Sequence, residues 1–142
     1  MNKRRLETME RIEQALAELL QTCSMKEISV TDICRRANIN RSTFYANYDD
    51  VAALATAFCR NVEKRTAAFA QPSSNYVWLF EHVAANPTTF RAYFSLEIPP
   101  TADDYKTLFI RNGVYGIVKR WFDGGCMESA EEMDRLLDWI IK

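Results

Sequence analysis

The sequence predicts an all-α fold, and three observations carry that prediction. Apolar residues recur three and four positions apart along most of the 142-residue chain. Ser, Asn or Asp stands where most of these stripes begin, and Gly or Pro where several of them stop. No segment shows the period-two alternation of a half-buried strand.

The first stripe is Leu6, Met9, Ile12, Leu16, Leu19, Leu20 and Cys23, with Glu7, Glu10, Arg11 and Glu18 on the other side, and it predicts an amphipathic helix preceded by the basic run Lys3, Arg4 and Arg5. Ser29-Val30-Thr31-Asp32 is a capping-box start for a second helix, whose apolar face is Val30, Ile33, Cys34 and Ala37. A third start follows at Asn40, whose side chain can cap the amides of Arg41, Ser42 and Thr43, with Ile39 and Phe44 forming a hydrophobic staple around it. Between the two starts the chain must turn sharply. Asn38 is among the few non-glycine residues that tolerate the left-handed backbone such a turn uses. Two short helices joined in this way, followed by a long one, outline a helix-turn-helix.

The fourth helix is expected from Asp49, with Val51, Leu54, Phe58, Val62 and Phe69 along one stripe, ending before Pro72 and spanning roughly 30 Å at 1.5 Å per residue. Gln71 to Asn75 reads as a short linker. A fifth helix covers Tyr76 to Ala85. Asn86-Pro87, a cap followed by Pro at the first helical position, opens a sixth that runs through about Leu96 and is stopped by Pro99 and Pro100. Thr101 to Asp104 opens a seventh helix that runs to Phe122 and ends at Gly124-Gly125. Ser129-Ala130-Glu131-Glu132 is a full capping box for an eighth.

Within the second to fourth helices, Val30, Ile33, Ala37, Ile39, Arg41, Ser42, Thr43, Phe44, Tyr45, Tyr48 and Leu54 resemble the DNA-binding signature of the TetR (tetracycline-repressor-like) transcriptional regulators, and NRSTFY is similar to a variant common among their shorter members. The resemblance covers roughly the first third of the chain. The chain departs from it at Asn38, where Gly is usual, at Asn47, where His or a similar polar residue is usual, and at Val51, where relatives carry a Lys that touches DNA phosphate. The resemblance implies a three-helix DNA-binding head over residues 1–48 and a helical dimerisation and effector-binding body over 49–142. It also implies binding to a palindromic double-stranded DNA operator as a homodimer, usually giving repression. Arg41, Ser42 and Thr43 are the candidates for base contacts, since Arg can meet guanine bidentately and Thr a thymine methyl. Lys3, Arg4, Arg5, Thr31, Tyr45, Asn47 and Tyr48 are the candidates for phosphate.

Charge agrees in sign with that expectation and is small. The formal net charge is −1, but up to Tyr48 there are 8 Lys and Arg against 6 Asp and Glu, and from Asp49 onward 10 against 13. Hydrophobic residues make up 48% of the chain, enough to bury a core and to argue against disorder. Without a membrane-length apolar run or a signal-peptide h-region, a soluble cytoplasmic protein with no membrane partner is expected. Four cysteines without CxxC pairing suit reduced thiols; Cys34 reads as core filler, whereas Cys59 and Cys126 are open to a redox role.

Helices seven and eight carry Tyr105, Leu108, Phe109, Val118, Trp121, Phe122, Met133, Leu136, Leu137, Ile140 and Ile141, more apolar surface than an outer layer requires. Gly113 and Gly116 each cost about 1 kcal/mol in a helix interior, which makes sense where a neighbouring helix approaches closely. A homodimer through these two helices is expected, as in the resembled family, where the pair forms a four-helix bundle across a two-fold axis. The aromatic density of helices five to seven suggests a cavity for a small apolar effector, with Trp78, His82, Phe90, Tyr93, Phe94 and Phe109 as its lining. Simple core packing would explain the same residues.

Catalytic chemistry has little to stand on. The chain has one histidine, His82, and no Gly-rich phosphate loop, GxSxG elbow, HExxH or Cys/His cluster, so no enzyme activity, cofactor or metal is expected. The acidic pairs Asp49-Asp50, Asp103-Asp104 and Glu131-Glu132 sit at helix starts, where the helix dipole accounts for them. The alternative reading is a helical protein-interaction or ligand-binding module that keeps the helix-turn-helix only as architecture.

Overall fold

The computed structural model describes residues 2–70 and 75–142, and they are all-helical: α1 (Lys3–Leu19), α2 (Val30–Ala37), α3 (Arg41–Tyr45), α4 (Val51–Ala67), α5 (Val77–Ala85), α6 (Pro87–Ser95), α7 (Tyr105–Asp123) and α8 (Ala130–Ile141). The linker expected at Gln71 to Asn75 lies, apart from Asn75, outside the described residues. Among the described residues no helix is long and apolar enough to cross a membrane.

Local chemistry sets most of the boundaries. Ser29 Oγ accepts the Asp32 amide at 3.1 Å and the Asp32 carboxylate accepts the Ser29 amide at 2.9 Å, so both halves of the expected box form at α2. The α2 helix closes on Asn38, which adopts the left-handed conformation with φ 56° and ψ 53°. Asn40 then caps α3 by accepting the Thr43 amide at 2.8 Å. The fourth helix is capped one residue later than expected, by Asp50, whose carboxylate accepts the Ala53 amide at 2.7 Å. Asp104 caps α7 through the Thr107 amide, and Gly125, with φ 90°, carries the chain out of it.

Three local features differ from the sequence reading. Lys3, Arg4 and Arg5 do not precede the first helix but form its first turn, because Asn2 accepts the Arg5 amide at 2.8 Å and starts the helix there. A single 3-10 turn, Met25–Glu27, stands between α1 and α2 behind its own capping box of Ser24 and Glu27. At α8, Ser129 accepts the Glu132 amide, which is one half of the box expected there.

The chain packs as two compact units. The first comprises Met1–Asn61 with Thr88–Ile98, and the second Val62–Pro87 with Pro99–Lys142. This division follows packing; the division at residue 48 follows expected function. In the first unit α1 packs on α2 and α2 on α3, burying Ile12, Leu16, Ile33, Phe44, Leu54 and Phe58. Phe90, Tyr93 and Phe94 of α6 belong to this unit and pack on one another with ring centroids 5.2 to 5.9 Å apart. In the second unit α5 packs on α8 and α7, with Phe80 edge-on to Trp121 at 5.0 Å and Val83, Met133 and Leu137 buried. Asp134 of α8 accepts the Tyr76 amide at 2.6 Å, fixing the start of α5.

Candidate functional site

The turn between α2 and α3 is three residues long, and it is held from outside as well as from within. Arg11 of α1 donates from Nη2 to the carbonyls of Ala37 and Asn38 at 2.5 and 3.2 Å, so the C-terminal end of α2 has a cationic partner where the helix dipole is negative. Asn40 Oδ1 accepts the hydroxyls of Ser42 and Thr43 at 2.7 and 2.9 Å in addition to the Thr43 amide. Phe44 points inward and is fully buried, which turns Arg41, Ser42 and Tyr45 outward.

Arg41 is the centre of that outward face. Its Nη1 donates to Thr31 Oγ1 on α2 at 3.0 Å and its Nη2 to the Tyr45 hydroxyl at 3.4 Å, while the guanidinium lies 5.8 Å from the Tyr45 ring centroid. Three of the residues expected at an interface with DNA are therefore brought together as one exposed cluster. A guanidinium held by two neutral acceptors keeps further N–H donors for a ligand and loses less freedom on binding than a loose side chain. The hydroxyl protons of Ser42 and Thr43 are engaged by Asn40, which leaves their oxygens as acceptors and the Thr43 methyl as an apolar contact.

The remaining phosphate candidates divide. Lys3 and Arg4 are exposed in the first turn of α1. Arg5 reaches the end of α3 instead, donating to Asn47 Oδ1 at 3.2 Å and to the Ala46 carbonyl at 3.4 Å. Asn47 donates in turn to the Thr43 carbonyl at 2.8 Å, so both ends of its amide hold the structure together. Tyr48 is corrected: it is 6% exposed, tilts against Phe44 with centroids 5.9 Å apart, and its hydroxyl has no accessible surface. It is a core residue at the entry to α4, not a hand offered to a phosphate. Val51, where the resembled family carries Lys, is likewise buried.

The candidate effector residues fall in both units. Phe90, Tyr93 and Phe94 are buried in the first, in the aromatic cluster described above. In the second, Trp78 is half-buried, Phe109 is 81% exposed, and His82 stacks on Phe69 with centroids 4.5 Å apart. Burial holds the His82 imidazole below its ordinary pKa, favouring the neutral ring. Cys34 and Cys59 are both buried; the Cys126 thiol is pushed up by burial first and by the nearby Glu128 charge second, the opposite of a reactive thiol.

Sequence reasoning missed two residues that organise this region, Arg11 and Glu13. Helical spacing puts Arg11 on the polar side of α1, and the carbonyls it meets lie 26 and 27 positions along the chain. Glu13 carried a legible signal, because it falls four residues after Met9 and three before Leu16, on the stripe that helical spacing turns inward. No protein-family model matches the chain, and no curated protein is significantly similar to it.

Proposed function

We propose that this protein is a sequence-specific DNA-binding transcriptional regulator acting as a homodimer, with α2 and α3 as a helix-turn-helix and α3 as its reading helix. The observation that carries the reading is the exposed cluster of Arg41, Thr31 and Tyr45, built across two helices around a cation that packing alone does not require. The motif resemblance at Asn40 to Tyr45 supports it, as do the exposed cations Lys3 and Arg4. Repression of a gene next to a palindromic operator, in the cytoplasm, is the form this function takes in proteins with the resembled signature.

Gel-shift selection with genomic DNA fragments tests the reading. A sequence-preferring complex that weakens steeply as salt rises is expected, because phosphate neutralisation releases counterions. Retention of no fragment, at any salt, refutes it. The second reading, a helical interaction module, draws on the exposed aromatic residues Tyr105 and Phe109 of α7 and on the near-zero net charge. It would be left standing by a protein that self-associates normally and ignores DNA.

A small apolar effector belongs to the proposal as its regulatory arm. Such a ligand changes operator affinity only by preferring one arrangement of the protein over another. A thermal-shift screen of hydrophobic compounds followed by operator release is the measurement; compounds that stabilise the protein without releasing DNA would remove this arm and leave the DNA-binding reading intact.

A further inference from the structure

Glu13 is the one charged side chain among the described residues that is buried, at 6% exposure, and it lies on the face of α1 that also buries Ile12 and Leu16. A carboxylate is expensive to remove from water unless hydrogen bonds replace the lost solvation. Asn61 of α4 supplies two such contacts, its Nδ2 standing 3.2 Å from each carboxylate oxygen. The two residues are 48 positions apart, so these bonds join two helices rather than two turns of one. The Tyr48 hydroxyl, at the entry to α4, is buried without a hydrogen-bond partner among the described residues. Its ionisation is pushed up to about 12, by burial first and by the Glu13 charge second.

An apolar residue at position 13 would bury its surface against α4 without directional demand. Hydrogen bonds are directional, and a buried acceptor that loses its donor is costly, so a polar pair discriminates between arrangements that apolar packing would accept alike. We propose that Glu13 and Asn61 form a register pin, whose hydrogen bonds select one roll of α4 against α1 and thereby fix the pose in which α3 is presented to DNA. The pose clause rests on the DNA-binding reading; the pin does not.

The test uses the full-length protein with spin labels at Glu10 and Thr56, exposed positions on α1 and α4. Wild type should give one narrow distance distribution. Glu13→Leu/Asn61→Leu should melt at or above the wild-type temperature, since replacing a buried polar pair by apolar residues is often neutral or stabilising. Its distance distribution should nevertheless broaden or shift, and its operator affinity should fall about tenfold. Asn61→Ala, at a half-buried position, is the milder second variant and should broaden the distribution too. A folded variant of either kind with the wild-type distribution overturns the pin. A changed distribution with unchanged operator affinity overturns the link to α3, and a wild type that binds no DNA refutes the functional reading while the distances still judge the pin.

Discussion

Arg41 is worth more to a DNA-reading surface in its present setting than its charge alone, because Thr31 and Tyr45 have already restricted its guanidinium before any ligand arrives. In the proposed complex Arg41→Ala should cost about 1 to 3 kcal/mol at one base position, as a lost base-edge contact does, while Tyr45→Phe should weaken all sequences alike. Competition gel shifts against single-base operator variants check both. An equal loss at every position for Arg41→Ala would move Arg41 to the backbone. Strain is stored at Glu97, which adopts φ 52° two residues after the end of α6, a conformation in which a side chain is unfavourable. Glu97→Gly should stabilise the protein by about 0.5 to 1 kcal/mol net of the greater freedom Gly has when unfolded, read from urea denaturation. Asn38 and Glu97, two of the three left-handed non-glycine residues among the described residues, differ in legibility for a physical reason. Asn38 could be named from sequence because Asn tolerates that region, whereas Glu carries no such preference. At Glu97 the conformation comes from the chain context, since no Gly lies between Ser95 and Pro99.

Helix starts were the most legible elements because capping is local: the donors and acceptors at Ser29, Asn40 and Asp104 lie within three residues of one another and need no tertiary partner. The same locality hid the 3-10 turn at Met25–Glu27, whose Ser24 and Glu27 box closes too short a segment for hydrophobic periodicity to register. It also misplaced the start of α1, where the basic residues of the first turn argue against a helix N-terminus on dipole grounds and the Asn2 cap outweighs them. The side chains of the candidate site were legible as identities and not as partners, since Arg5 to Asn47 and Arg11 to Ala37 span 42 and 26 positions. Capping has a pH signature. The Ser29 amide and then the Ser29 hydroxyl hold the Asp32 carboxyl below its ordinary value of 3.8. A carboxyl depressed on folding contributes stability that is present above that value and fades as pH falls through the folded one. Melting temperatures of wild type and Asp32→Asn should therefore differ by a constant amount above roughly pH 4 and converge below it. A gap that persists undiminished into stronger acid would show that the box is held together by something other than the ionised carboxylate.

The helices α7 and α8 turn two kinds of apolar residue in two directions. Trp121, Met133 and Leu137 are buried within the second unit, and Trp121 also donates its indole N–H to the Glu128 carbonyl at 2.9 Å. Tyr105, Phe109 and Trp139 are 92, 81 and 78% exposed, with Leu136, Ile140 and Ile141 also open to solvent. Helical periodicity identified both helices and could not sort these sets, because a helix that is apolar on more than one side has no single inward face. Gly113 and Gly116 follow Tyr105 and Phe109 along the exposed side of α7, and a Cβ at either would meet nothing within 4 Å among the described residues. In the homodimer proposed above, a second copy would supply the close neighbour that their helix-interior cost calls for. The sorting predicts how substitutions at two positions of α8 only two residues apart, and so on nearly opposite faces, should differ. Leu137→Glu places a charge in a site only 1% exposed and should unfold the second unit, which says nothing about assembly. Trp139→Glu should leave the melting curve of the monomer nearly unchanged and weaken dimer association by about 2 kcal/mol or more, the scale of a buried aromatic anchor. Sedimentation across a concentration series reads the second effect and circular dichroism the first. A Trp139→Glu protein that remains dimeric at every concentration would take α8 out of the interface, and a wild type that is monomeric at micromolar concentration and on DNA would refute the dimer itself.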